Sequence, residues 1–130
     1  MTEAVMKDFK EKKEFLNSYA DLLVSLEELR EELKDWEELS VSKAKEGFYV
    51  ENIIAKNDEI TEAKLLVEER RILILSTIGA VDDKRVCAVL RRRYILGQNM
   101  TEISKKLHYS LRHVKRLHKR GIEEIKLPKI

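Results

Sequence analysis

Apolar residues recur along the first part of this chain at helical spacing. Phe9, Leu16 and Leu23 lie seven apart, and so do Tyr19, Leu26 and Leu33. Phe15, Leu22, Leu29 and Trp36 form a third such series. Together they make one stripe that drifts slowly around a helix of period 3.6. Lys12, Lys13, Glu27, Glu28, Glu31 and Glu32 take the other faces. No Gly or Pro interrupts residues 3–39, so the pattern predicts one helix there. At roughly 1.5 Å per residue it would span about 55 Å. A helix that long has no compact domain of its own to lie on, so its stripe needs a partner helix.

Short polar residues and Gly47 between Ser40 and Phe48 predict a loop. A second helix is expected over roughly 50–78. There Ile53, Ile60, Val67 and Ile74 are spaced by seven, with Leu66 and Leu73 alongside. The simplest packing of the two is an antiparallel helical hairpin, a two-stranded coiled coil. Trp36 would plug its end, and Asn57 would face water. At Ile78-Gly79-Ala80-Val81 the pattern changes: helices shorten and charge turns basic. The reading is therefore all-α, with a hairpin interaction module over 1–79 and a second module over 80–130. Asp82 or Asp83 would cap a helix over 83–96. Val86, Val89 or Leu90, and Tyr94 would form its inner face, with Cys87 and Ala88 filling gaps. Arg91, Arg92 and Arg93 point in different directions, and at least one is expected to pair with an acid of the hairpin. Gly97 would end this helix in a left-handed cap.

Composition narrows the class. With only four Gly and one Pro among 130 residues, a turn-rich β-sandwich or barrel is excluded. Apolar residues at 43% are too many for a disordered tail. The apolar runs are too short for a transmembrane helix, and no signal peptide is read at the start. One cysteine, Cys87, cannot form an internal disulfide and fits a reducing, cytoplasmic setting. The formal net charge of +2 conceals an asymmetry. Residues 1–74 hold 12 Lys/Arg against 19 Asp/Glu, whereas residues 75–130 hold 14 against 5. A basic half joined to an acidic one points to a polyanionic partner for the basic half.

Residues 99–119 fit a helix-turn-helix. Asn99 can cap a helix while Glu102 reaches back to the Asn99 amide, a capping box. Ile103 and Leu107 lie one turn apart on its inner face, and Ser104 is small enough to admit the next helix. Leu107-His108-Tyr109 makes the turn, with His108 adopting a left-handed or adjusted conformation. Ser110 caps the following helix, from which Val114 and Leu117 face inward. Once Ile103, Leu107, Tyr109, Val114 and Leu117 are buried, the outward face is fixed. It carries Ser110, Leu111, Arg112, Lys115, Arg116 and Lys119. From Lys105 to Arg120 there are seven Lys/Arg, three His and no acid. Arg112 and Arg116, one turn apart near the helix N-terminus, are placed to pair with guanine edges in the major groove. Lys115 is a further base-contact candidate. Lys119 and Arg120 would meet phosphates, and Lys105 and Lys106 of the first helix would touch backbone.

These residues resemble a known family. Val89-Leu90-Arg91-Arg92-Arg93-Tyr94-Ile95-Leu96-Gly97, Glu102-Ile103-Ser104, Tyr109-Ser110 and Val114-Lys115 are similar to region 4 of bacterial sigma factors. The likeness covers about 40 residues. With the long hairpin ahead of it, the chain resembles small phage and prophage late-gene regulators of the ArpU and RinA type. That resemblance implies promoter binding in the bacterial host cytoplasm, in association with the nucleoid, without enzymatic chemistry or a cofactor. It sets Arg112, Lys115 and Arg116 where region 4 reads its promoter element. The chain departs from the pattern at the turn, with His108 where Gly is frequent and Ser104 where Ala is common. Nothing in residues 1–80 reads as the regions with which a full sigma factor melts DNA and holds polymerase core.

The expected partner is double-stranded DNA, with bacterial RNA polymerase and a second copy, joined through the N-terminal helices, as further candidates. An RNA partner would call for exposed stacking aromatics. A membrane surface would call for a broad apolar face on the basic helix. The alternatives are a DNA-packaging protein of the small-terminase kind and a helical adaptor that binds no DNA. An enzyme is the weakest class, since no phosphate loop or paired catalytic carboxylates occur. Cys87 reads as a small buried apolar residue. His108, His113 and His118 read as exposed or DNA-facing, with no metal-ligand spacing.

Overall fold

A computed structural model of the chain describes residues 2–42 and 46–129. It is all-α. Among the described residues there are five helices and no strand: α1 (Glu3–Ser42), α2 (Glu46–Gly79), α3 (Lys84–Tyr94), α4 (Met100–Leu107) and α5 (Leu111–Glu124). Both long helices outrun the pattern that predicted them. The Ser40 hydroxyl donates to the Glu37 carbonyl at 2.7 Å, satisfying itself inside α1 rather than ending it. Asn52 likewise donates to the Phe48 carbonyl at 2.8 Å, within α2. The centre of the expected loop, 43–45, lies outside the described residues.

Packing divides the chain into two compact units, and neither follows the expected boundary at 79. One comprises the chain up to Ala20 and from Arg70 onward; the other is Asp21–Glu69. The first is built on a single core. Leu16 of α1 and Ile74 and Ile78 of α2 are buried with Val86, Val89 and Leu90 of α3 and with Ile103, Val114 and Leu117 of α4 and α5. Phe9, Phe15 and Tyr19 pack against it. The physical reason is area: three helices of 8 to 14 residues cannot bury enough apolar surface by themselves. The start of α1 and the end of α2 complete their core. Lys12 ties α1 to the far end of α5 by donating to the Glu123 carbonyl at 2.9 Å, and the Arg70 guanidinium lies 5.8 Å over the Phe15 ring.

The second unit is two helix segments. Leu26, Ile60 and Val67 are buried there. Glu32 forms an ion pair with Lys56, and this hydrogen bond raises the Lys56 pKa. One turn further along α1, Trp36 packs on Phe48 and Tyr49, with ring centroids 5.7 and 6.1 Å away. Advancing along α1 thus means retreating along α2, so the segments run in opposite directions. Of the seven-residue series, Ile60, Val67 and Ile74 are buried as the periodicity predicts, and Ile53 is half-buried. Leu23, Leu66 and Leu73, read as part of or beside the stripe, are exposed instead. Asn57 is exposed and donates to the Ile53 carbonyl at 2.9 Å.

Candidate nucleic-acid interface

Asp83 starts α3. Its carboxylate accepts from the Arg85 amide at 2.9 Å and forms ion pairs with Arg85 at 3.1 Å and Arg120 at 3.0 Å. Hydrogen bonds from the Arg85 side chain, then from its amide, hold the Asp83 pKa down at about 2. After α3 the chain reverses through Gly97, at φ +70°. The Gln98 amide donates to the Arg92 carbonyl at 3.0 Å, closing the helix end.

The capping box on α4 is present. Asn99 Oδ1 accepts from the Glu102 amide at 2.8 Å, and Glu102 Oε1 accepts from the Asn99 amide at 3.2 Å. His108 takes the left-handed conformation that the turn requires, φ 59° and ψ 38°. Ser104 pins the turn twice: its hydroxyl donates to the Tyr109 carbonyl at 2.6 Å, and its carbonyl accepts from the Tyr109 amide at 3.1 Å. A small residue is needed at 104 for this bond as well as for close helix approach. Ser110 Oγ then accepts from the His113 amide at 3.1 Å and starts α5. Ile103, Val114 and Leu117 are buried, and Leu107 and Tyr109 are half-buried against the same core.

The inward face of α5 extends beyond the segment read from sequence. Gly121, Ile122 and Ile125 are buried too. A Cβ at Gly121 would stand 2.8 Å from Leu90 Cδ1 and 2.9 Å from Val86 Cγ1, so this glycine sets how closely α5 and α3 approach. The signal was available: Gly121 continues the Val114–Leu117 period by one turn. Ending the motif at 119 missed it.

On the outward face, Ser110, Arg112, Lys115, Arg116 and Lys119 are exposed, as are Lys105 and Lys106 on α4. At about 100° per residue, Arg112, Lys115, Arg116 and Lys119 fall within an arc of about 100°. Arg116 Nη2 lies 2.6 Å from His113 Nδ1, which steadies the guanidinium near the start of α5. No acid lies on this face from Arg112 to Lys119; Glu123 follows one turn beyond Lys119, at the end of α5.

Three expectations change. Arg120, expected on phosphates, is held between Asp83 at 3.0 Å and Glu124 at 2.8 Å, where it ties α5 to the start of α3. It lines an open cleft of about 310 Å³ with Asp82, Asp83 and Lys126. His118, expected to be exposed, is half-buried; its Nε2 lies 2.6 Å from the Tyr94 hydroxyl and its ring stacks on Tyr94 at 5.6 Å. Burial, aided by Lys13 and Arg93, lowers its pKa to about 4, and burial raises that of Tyr94 to about 12. His113 is half-buried as well, 5.0 Å from the Tyr109 ring, whereas His108 is exposed. Finally, none of Arg91, Arg92 and Arg93 forms an ion pair among the described residues; Arg93 lies over the Tyr94 ring at 5.7 Å.

Cys87 is half-buried and donates to the Ile78 and Val81 carbonyls, each at 3.2 Å. Burial raises its pKa and keeps it a thiol. Among the described residues no group of His, Cys, Asp and Glu is arranged to hold a metal, and no helix is long and apolar enough to cross a membrane. No family model, curated protein or solved structure matches the chain.

Proposed function

We propose that this chain is a sequence-specific DNA-binding transcriptional regulator of the phage or prophage kind, built like sigma-factor region 4. In this reading α4, the His108 turn and α5 are a helix-turn-helix, and the first turns of α5 enter the major groove. Arg112 and Arg116 contact guanine edges, with Lys115 beside them. Lys119, Lys105 and Lys106 contact phosphates. Arg120 serves the scaffold by holding α5 to α3. The observation that carries the reading is the cationic outer face of α5 from Arg112 to Lys119, with Glu123 one turn beyond it, exposed on a helix whose opposite face is locked into the core. Four exposed cations clustered toward the start of the helix, with the nearest acid of the face at its far end, attract a polyanion, and the cap at Ser110 aims the helix end that reads bases.

Selection of bound DNA from a random pool, at near-physiological salt, tests it. The expected outcome is enrichment of one defined site. Arg116→Ala should then weaken binding to that site by roughly 1–3 kcal/mol, while Lys119→Ala weakens all sequences alike. Absence of any enriched site, with affinity that merely collapses as salt rises, would overturn the reading and favour DNA packaging or an adaptor role.

A further inference from the structure

The two-helix unit leaves an apolar stripe uncovered. On α2, Val50, Ile54 and Leu65 are 49%, 57% and 61% exposed. They are spaced by four and eleven residues, and Thr61 lies between them, exposed, with its hydroxyl donating to the Asn57 carbonyl at 3.0 Å. That bond leaves the threonine methyl for the stripe. At about 100° per residue the four lie within about 60° of one another, and their centre is more than about 100° from Ile60 and Val67. Those two are buried in the seam with α1. This part of α2 is therefore apolar on two faces, and only one is covered. A helix with two apolar faces is built to lie between two neighbours.

The flanks identify the second neighbour. Glu51, Asp58 and Glu62 line one side of the stripe, and Asn57 and Lys64 line the other, with Glu68 at that edge one turn beyond Lys64; all six are exposed. We infer that a second copy of this chain covers the stripe, with the two α2 helices parallel about a two-fold axis. In that arrangement Val50, Ile54, Thr61 and Leu65 each meet their own equivalents. The acidic flank of each helix faces the partner's flank bearing Lys64, the alternation that sets partner and orientation in coiled coils. An antiparallel pairing would put acidic flank against acidic flank, which is unfavourable at short range. A self-matching stripe gives a closed two-fold dimer.

Sedimentation equilibrium of the full chain at micromolar concentrations tests the assembly. The wild type should be dimeric, and the double variant Ile54→Glu, Leu65→Glu monomeric with unchanged helicity, because neither side chain enters a core. Leu65→Cys and Val50→Cys, each made singly, should oxidise to covalent dimers, since parallel pairing sets each residue against itself. A monomeric wild type, a ring of many subunits, or a double variant that still dimerises would overturn the proposal. Antiparallel pairing would show as cross-linking only when cysteines at 50 and 65 are combined. That result would overturn the parallel arrangement. None of these readouts involves DNA, so they fail or succeed independently of the regulator reading.

Discussion

Gly121 leaves α5 room against the Leu90 and Val86 side chains of α3. Any side chain there meets Leu90 and Val86 below 3.0 Å. Gly121→Val should therefore destabilise the chain by about 1–3 kcal/mol, despite removing a helical glycine. A urea midpoint measured against the wild type checks it. His118 gives a prediction of a different kind. Its folded pKa of about 4 lies below the usual histidine value near 6.5, so the folded state binds fewer protons than the unfolded one between them. Its contribution is complete above about pH 6.5 and is lost as pH falls toward 4. Urea midpoints should thus decline across that window, and His118→Gln should flatten the decline. Asp83, held down at about 2, acts in a lower window: its contribution is present above the unfolded value of 3.8 and fades toward pH 2. A wild-type midpoint that stays flat from pH 6.5 to 4.5 would contradict the buried, neutral His118.

At the scale of elements, caps fix where the short helices begin. Asn99 and Ser110 each supply a side-chain oxygen to an otherwise unpaired amide. Ser110→Ala should cost about 1 kcal/mol of stability. In the regulator reading it should also weaken specific DNA binding more than Lys119→Ala does, because the first turn of α5 frays with Arg112 on it. Comparing thermal melts with affinity for the selected site separates the two effects. The capping box, the left-handed turn at His108 and the burial of Ile103, Val114 and Leu117 were all legible in sequence, because each rests on residues within a few positions of one another. Arg120 was not. Its i,i+4 partner Glu124 has a counterpart in Glu123 beside Lys119, so local spacing treats the two cations alike; the partner that sets Arg120 apart, Asp83, lies 37 residues earlier in the chain. His118 was misread for the same reason, since Tyr94 reaches it from another helix.

For the whole molecule, the core that supports α5 draws on both ends of the long helices. Leu16 is fully buried in it, beside Ile74. Leu16→Ala should cost about 2–5 kcal/mol and should lower the melting of α3–α5 together with α1, in one transition. A fragment of residues 80–130 should fail to fold cooperatively, as followed by circular dichroism during heating. A fragment that folded with the stability of the full chain would show that Leu16, Ile74 and Ile78 add nothing to this core. In the regulator reading, the four cations along α5 should also give a steep fall of affinity with salt, shallower by about one unit of slope when Lys119 is removed.

The helical class, the two long amphipathic helices and the capped α4–α5 pair with its cationic outer face are all written in the order of residues alone. Those follow from periodicity, from caps and from local charge, which act over one or two helical turns. Which sequence segments share a core emerges only from packing. The boundary read at 79 marks a change of pattern. Packing instead joins Leu16, Ile74 and Val86 across it, because short helices need apolar area that only distant parts of the chain can supply. It also decided which cations are exposed and which are bound to acids, and which apolar residues of α2 remain uncovered. A hydrophobic stripe states that a helix must be covered; where its neighbours lie is set by packing in three dimensions.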